Sequence, residues 1–409
     1  MEKKFDVLIV GAGPAGTAAA ICLGNTDLSV GLLDKATFPR DKICGDALSV
    51  DVVNQLRLIS PDLWQNFLDM ECKTPSSGVQ IYAPDGGYVD IPFIDKGASS
   101  FGYVCRRIDF DNLLLQHCAI YPNVTTVQNC ELNFLENGDD RVHLHTTQGH
   151  YSAKMVIGAD GAHSLIAKHL GHQKIYRRHH SAGLRMYYEG ITGMHTQDFI
   201  ELHFLNEILP GYLWIFPLPN NCANVGIGML SSTISRKGIN LKRTLTQVLE
   251  THPDFEERFS EARPLEIVKG YGLPLGSKQR KLSGERILLA GDAAGLIDPF
   301  TGEGIANAIR SGRIAAKHAM KAFANNNFSA AFSAGYDREI FLKMGNELKL
   351  SHRLQLFCRI PPLFNYVVKK ANRNEHVHRL LIDALAQVDK KKNLIKPSFY
   401  YNLLFDEKV

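Results

Sequence analysis

Gly11-Ala12-Gly13-Pro14-Ala15-Gly16 and Asp34 are the residues whose types and spacing most directly suggest chemistry. In a G-x-G-x-x-G turn the first glycine permits the tight bend. The second lets backbone approach a pyrophosphate, and the third lets the following helix pack close to the preceding strand. Pro14 suits a first helical turn, where its missing N–H is no loss. The free N–H groups at such a helix start favour an anion. A carboxylate at Asp34 is placed to accept from a ribose 2′-OH, and its charge disfavours a 2′-phosphate. The plainer alternative is a glycine-rich turn in an ordinary βαβ unit.

The flanking elements decide between them. Phe5 to Val10 is short, apolar and β-branched, as a buried parallel strand is. Thr17 to Leu23 is small and helix-compatible, Asn25 can close that helix, and Leu28 to Leu33 is a second apolar run ending at Asp34. Strand, glycine turn, helix, strand and terminal acid stand in the order a dinucleotide site requires. The next stretch, Lys35 to Asp46, is broken by cations, Pro39 and Gly45 and reads as a loop. Loops at the carboxyl ends of parallel strands are where ligands sit.

In that loop Phe38-Pro39-Arg40-Asp41-Lys42-Ile43-Cys44-Gly45 gives F-P-R-x-K-x-C-G. Following the glycine turn, it resembles the geranylgeranyl reductase family within the p-hydroxybenzoate hydroxylase-like flavoproteins. The resemblance implies that the dinucleotide is FAD and that Cys44 lies near the flavin; on residue type alone Cys44 would be a small buried thiol. Lys35, Lys42, Gly45 and Asp46 join the cofactor residues on the same ground. Three further segments carry the resemblance. R-x-x-F-D falls on Arg107, Phe110 and Asp111, and Arg107 is then expected on the phosphate–ribose side; otherwise it is a solvated helix-start cation. Met155 to Ser164 ends a strand in Asp160-Gly161, where Asp160 is expected to orient loops around the cofactor. Arg286 to Ile305 ends a buried strand at Gly291-Asp292 and leads through glycines to a helix from Ile305 to Phe323. There the resemblance puts Asp292 on the ribityl chain and the Gly304-Ile305 amides at the isoalloxazine pyrimidine edge.

Gly211 to Pro217 carries the aromatic part of the family's P-x-x-Y-x-W-x-F-P signature, with Pro210 one residue closer to Tyr212. In period two, Tyr212, Trp214 and Phe216 share one face of a strand. That suits a substrate pocket and an aromatic core equally. Nearby runs (Phe199 to Phe204 and Asn224 to Gly228) predict an antiparallel sheet, and Gly78 to Ile94 a hairpin about Asp85-Gly86-Gly87. Val50 to Met70 reads as helical, Val124 to Phe134 and Arg141 to His145 as strands turning at Glu136-Asn137-Gly138. His143 and His145 alternate on a strand with no third ligand, so no metal site is expected.

The fold class that follows is α/β (α+β overall): a Rossmann-like FAD-binding domain, an antiparallel-sheet substrate domain and a C-terminal helical region. The expected boundaries are 1–75, 100–175 and 270–327 for the discontinuous FAD domain, 76–99 and 176–269 for the substrate domain, and 328–409 for the helices. At 409 residues, two or three lobes are expected. A net charge of +4 gives no argument for nucleic acid. Eight cysteines without a C-x-x-C pair argue for a reducing cytosol and against zinc or a disulfide framework. The first strand begins at Phe5, which leaves no room ahead of it for a signal peptide, and no run of ~18 apolar residues predicts a membrane span. The expected location is cytoplasmic. A peripheral position at the inner membrane face is the alternative, since apolar residues from Leu354 to Val368 are interleaved with Arg353, Arg359, Lys369, Lys370 and Arg373. Packing of that region on the flavin domain is the plainer reading.

The function implied is an FAD-dependent oxidoreductase that reduces C=C bonds of a prenyl lipid or prenylated quinone by hydride transfer. The partner is then an apolar small molecule or lipid, NAD(P)H a candidate electron donor, and the oligomeric state is left open. Cys44, Tyr212 and Trp214 are the candidate catalytic residues, and Tyr212, Trp214 and Phe216 the substrate wall. The rival is a flavin-dependent monooxygenase of an aromatic or polyene substrate; a non-catalytic flavin-binding protein is the third possibility.

Overall fold

The computed structural model describes residues 2–95 and 98–385. Five parallel strands form the heart of the first sheet, in the order Val124–Val127, Val30–Leu33, Lys3–Val10, Gly149–Gly158 and Ile287–Leu289. The central runs Val7–Val10, Val30–Leu33, Met155–Gly158 and Ile287–Leu289 are buried, as strands covered on both faces must be. Register fixes the function of this sheet. Val10 lies opposite both Leu33 and Gly158, and Gly158 opposite Leu289. The residues that follow these four strand ends (Gly11, Asp34, Ala159-Asp160 and Ala290-Gly291-Asp292) therefore emerge at one edge. The hairpin Leu132–Asn137 and Val142–Thr146 extends the sheet antiparallel to the first half of Gly149–Gly158.

Helix Pro14–Leu23 packs on this sheet, and helix Ile305–Ala324 packs closely on Pro14–Leu23. Their contact needs a glycine: a Cβ on Gly312 would overlap the Ala15 carbonyl.

The second sheet runs His180–Glu189, Cys222–Leu230, Tyr212–Leu218, Ile200–His203, Gly78–Tyr82, Tyr88–Pro92, with Arg263–Pro264 and Lys269–Pro274 on the outer side of His180–Glu189. Its alternation separates two cores. Leu213 and Ile215 face Leu245, Val248 and Phe255. Tyr212, Trp214 and Phe216 face the other side with Val79, Ile81 and Leu202. A small sheet of Ala47–Leu48, Gly102–Cys105 and Lys73–Ser76 completes the strands beside the site.

Several expectations are corrected. Val50 to Met70 is two helices, Val50–Ile59 and Pro61–Leu68, because Pro61 cannot extend the first and Ser60 caps the second. Val124 to Phe134 is two strands, broken where Asn129 takes φ 53° and the chain turns from the parallel strand into the hairpin. The strand Lys269–Pro274 carries the second sheet past the expected boundary at residue 270. Of the C-terminal helices, Ala330–Phe357 packs on the nucleotide lobe through Tyr336, Ile340 and Met344, whereas Pro361–Ala371 and Glu375–Leu385 pack on the second sheet: His378 Nε2 lies 2.7 Å from the Asp90 carbonyl, and Phe364, Val367 and Val377 join the core of Trp214 and Phe216. Residues 386–409 of the expected helical region lie outside the described residues. No described helix is long and apolar enough to cross a membrane.

Candidate active site

One cavity of about 750 Å³ runs from the glycine turn to the aromatic strand. At its first end Gly11 has φ 101°, and a Cβ there would overlap the Ala159 carbonyl of the neighbouring strand end. Gly16 faces away from the cavity, and its missing side chain is replaced by the Gly11 carbonyl. Gly13, Pro14 and Ala15 line the wall. Only the Arg40 guanidinium, 3.8 Å away, lies within 4 Å of where a Gly13 Cβ would stand. Bare backbone at a helix start, open space and a cation above it fit a pyrophosphate.

Asp34 is buried, and each carboxylate oxygen already accepts one backbone N–H: Ala12 at 2.7 Å and Ala36 at 2.8 Å. It holds the turn to the strand end and keeps lone pairs for a ribose. Lys35 is exposed at the rim.

The loop from Lys35 to Asp46 crosses the middle of the cavity. Arg40 donates to Asp111 at 2.7 Å, and Arg107 makes two hydrogen bonds of 2.6 Å to the same carboxylate. Arg107 is thus no solvated cation: it is 2% exposed. Burial opposes ionisation of Asp111, but the Arg107 and Arg40 guanidinia beside it win and hold its carboxyl below the usual range. Lys42 pairs with Asp292 at 3.3 Å and lies over the Tyr271 ring. Asp160 caps the short helix Leu165–His169, accepting from Ser164 Oγ at 2.5 Å and the Leu165 N–H at 2.8 Å; burial pushes its carboxyl up. Gly161 beside it lines the cavity. Gly291, with φ 62°, donates its N–H to Ser311, and Asp298 gathers the Phe300 and Thr301 N–H groups at 2.9 Å each. That turn delivers Gly304 and Ile305, the start of a 20-residue helix, to the cavity wall.

At the far end Tyr212, Trp214 and Phe216 form a ladder with ring centroids 6.2 and 6.1 Å apart. Tyr212 donates its hydroxyl to the Thr301 carbonyl, and burial pushes its ionisation up, so it stays a phenol. Trp214 lies on glycine: a Cβ on Gly226 would overlap its six-membered ring. Gly45 of the loop presses on the same ladder, 2.9 Å from Phe216 to its absent Cβ.

A buried polar cluster joins loop and ladder. Asp46, fully buried at φ 67°, accepts from Tyr187 at 2.7 Å and from Asn224 Nδ2 at 2.8 Å. Asn224 also donates to the Cys44 carbonyl at 2.8 Å and accepts from the Trp214 indole at 2.9 Å. Burial pushes the Asp46 carboxyl up to about 6, against the pull of the Tyr187 and Asn224 hydrogen bonds and of Arg185 and Arg107. Arg185 stacks on Tyr187 and bridges to Asp41 and Glu266.

Residues 4–207 match the model of an FAD binding domain, and residues 182–271 that of a geranylgeranyl reductase catalytic domain. The digeranylgeranylglycerophospholipid reductase of Thermoplasma acidophilum is 30% identical over 344 residues, 83% of this chain and 83% of that protein. The chain belongs to the geranylgeranyl reductase family. A menaquinone reductase of Mycobacterium tuberculosis is 29% identical over 325 residues, covering 78% of this chain and 77% of the relative. The crystal structure of a geranylgeranyl bacteriochlorophyll reductase-like protein from Thermoplasma acidophilum superposes with a TM-score of 0.81 over 99% of each chain, at 22% identity. At that identity the likeness speaks for the fold. This member of the family is an FAD-dependent oxidoreductase.

Of the cofactor, catalytic and substrate candidates named from the sequence, all but Gly16 line this cavity. Sequence reasoning missed Arg40, Asp111, Tyr187 and Asn224 as site residues. Arg40 stood inside the quoted F-P-R-x-K-x-C-G segment and Asp111 inside R-x-x-F-D. Asn224 was visible as a lone amide at the head of an otherwise apolar strand segment, but its partners are remote in sequence.

Proposed function

We propose that this reductase-family protein hydrogenates C=C bonds along the prenyl chain of a lipid or prenylated quinone. The carrying observation is the Tyr212-Trp214-Phe216 ladder, an apolar wall in the same cavity as the glycine turn. Names of relatives fit either head group, a glycerophospholipid or a menaquinone. Within the cavity, Gly11, Gly13 and the start of the following helix, with Arg40, would hold the pyrophosphate of FAD; Asp34 the ribose; Lys42, Asp160-Gly161, Gly291-Asp292 and Gly304-Ile305 the flavin half.

Bound and reduced, FAD supplies a hydride for one alkene carbon. The π bond breaks as two C–H bonds form, and the second carbon takes a proton. Cys44 and Tyr212 line the cavity between loop and ladder and are the candidate sources of that proton, Tyr212 from a hydroxyl that donates to the Thr301 carbonyl. The ladder excludes water and holds the chain, which an isolated alkene needs because it is a poor base. A nicotinamide dinucleotide such as NAD(P)H would reload the flavin.

Access from a lipid surface fits the last turn of helix Ala330–Phe357. Its buried Gln355 lines the cavity, while Arg353, Leu356, Arg359 and Ile360 around it are exposed. An apolar patch ringed by cations suits an anionic membrane face.

The test is anaerobic reduction of the flavin followed by mass spectrometry of products from geranylgeranyl glycerophospholipid and menaquinone. A gain of two hydrogens per bond is expected. A gain of oxygen when the experiment is run in air, with no hydrogenation anaerobically, would replace this reading with a monooxygenase.

A further inference from the structure

Asn224 has no exposed surface and spends every hydrogen-bonding group of its amide. Its two N–H bonds go to the Asp46 carboxylate and the Cys44 carbonyl, both at 2.8 Å and both on the loop that crosses the cavity. An amide with both donors committed cannot flip, so Oδ1 must face the only side left. There it accepts the Trp214 indole N–H at 2.9 Å. The indole is fixed on its other side as well, since its six-membered ring rests where a Gly226 side chain would be, and a Cβ on Gly228 or Gly183 would stand 3.6 or 3.8 Å from the same ring. Asp46 is itself locked, by Tyr187 at 2.7 Å and the Arg107 N–H at 3.3 Å. The Trp214 indole and the cofactor-facing loop are thus joined by hydrogen bonds through the Asn224 side chain.

We propose that Asn224 is a positioning residue for the reaction: anchored on Asp46 and Cys44, it fixes the indole of Trp214 and with it the register of the substrate chain. The inference rests on the prenyl-reductase reading for its kinetic arm and stands without it for its spectroscopic arm. A displacement of the reacting carbon of about 1 Å costs on the order of a hundredfold in rate, so loosening one wall residue should appear in kcat more than in KM.

The protein has two tryptophans, Trp64 and Trp214. Trp64 packs against Phe67 and does not line the cavity, so Trp64→Phe leaves a single indole signal. In the ¹⁵N-tryptophan spectrum of that protein, the Trp214 indole N–H should exchange slowly with water. In the added Asn224→Ala variant it should shift and exchange fast. On prenyl substrate, Asn224→Ala should lower kcat roughly ten- to a hundredfold at saturating FAD with KM little changed. In a Trp214→Phe background, which keeps a ring but has no N–H to hold, Asn224→Ala should cost little more. Equal losses from Asn224→Ala in both backgrounds, or an unmoved indole signal, would overturn the proposal. Should Asn224→Ala not fold, Trp214→Phe carries the kinetic arm alone: a tenfold or greater loss in kcat is expected, and wild-type kcat would overturn it. If the parent protein reduces no prenyl substrate, the function reading fails, and the indole signal still decides whether the clamp exists.

Discussion

At the glycine-turn end of the cavity, the groups that meet come from one short piece of chain: Ala12 and Asp34 bond across 22 positions. At the aromatic end, Asp46 reaches Tyr187 across 141 positions and Asn224 across 178. The first end is built on a single βαβ unit, with one distant strand end, Gly158-Ala159, set beside Gly11 by register. The second exists only when the loop of the nucleotide lobe is seated on the second sheet. A local motif can hold a cofactor by backbone alone, whereas a wall that selects a chain must be assembled from side chains on several elements.

The largest effect that would break this contrast comes from the local end. Gly13→Glu puts a carboxylate where only the Arg40 guanidinium now overlooks open space. FAD affinity should fall on the order of a thousandfold, about 4 kcal/mol, with the fold kept. Purified variant that remains yellow with a wild-type melting temperature would show that the pyrophosphate does not lie there.

Arg107→Ala tests how the two ends are joined beneath the loop. It leaves Asp111, which is fully buried, with Arg40 as its remaining cation. Removing one partner of a buried pair costs about 3–5 kcal/mol, which urea unfolding of the variant should register. A cost under 1 kcal/mol would mean Arg107 is replaceable in holding the loop.

A smaller effect reads the aromatic end through pH. The Asp46 carboxyl, pushed up to about 6 from an ordinary 3.8, binds its proton more tightly in the folded chain than in the unfolded one. Its stabilising contribution is therefore complete below the unfolded value and lost as pH rises through about 6, a span of roughly 3 kcal/mol. Asp111, held below the usual range, acts with the opposite sign and only in more acid solution. Stability of Asp46→Asn should lack the fall between about pH 4 and 7 that the wild type shows. Parallel curves for the two proteins would place the titration elsewhere.

Asp292→Ala gives the smallest change, a loss of about 1–3 kcal/mol in FAD affinity for a hydrogen bond at the flavin half, read by flavin titration. Unaltered affinity would leave Asp292 as a partner of Lys42 alone.

The same contrast explains what could be read in the sequence. The strand at Lys3–Val10, the glycine turn and the helix after it were legible because each signal lies within a few residues of its cause. The strand ends at Asp160-Gly161 and Gly291-Asp292 and the start of helix Arg107–Cys118 were legible as parts of one site because the resemblance supplied a meaning for them. Arg107 could have been a solvated cation by residue type, and only Asp111 at helical spacing and the burial of both show otherwise. Asn224 was illegible, because nothing local says that its partners are Cys44, Asp46 and Trp214. The C-terminal helices presented an apolar face whose destination, the second sheet, depends on a hairpin more than 270 positions away.

The proposed function requires the cavity's two ends to do separable work, cofactor at the glycine turn and chain at the ladder. Trp214→Ala tests it most directly, with flavin occupancy, melting temperature and anaerobic prenyl reduction measured on one preparation. FAD content should stay near wild type, with a stability loss of about 3–5 kcal/mol for the emptied indole seat and a rate lower by on the order of a hundredfold. A flavin-replete variant that reduces the prenyl chain at the wild-type rate would contradict it.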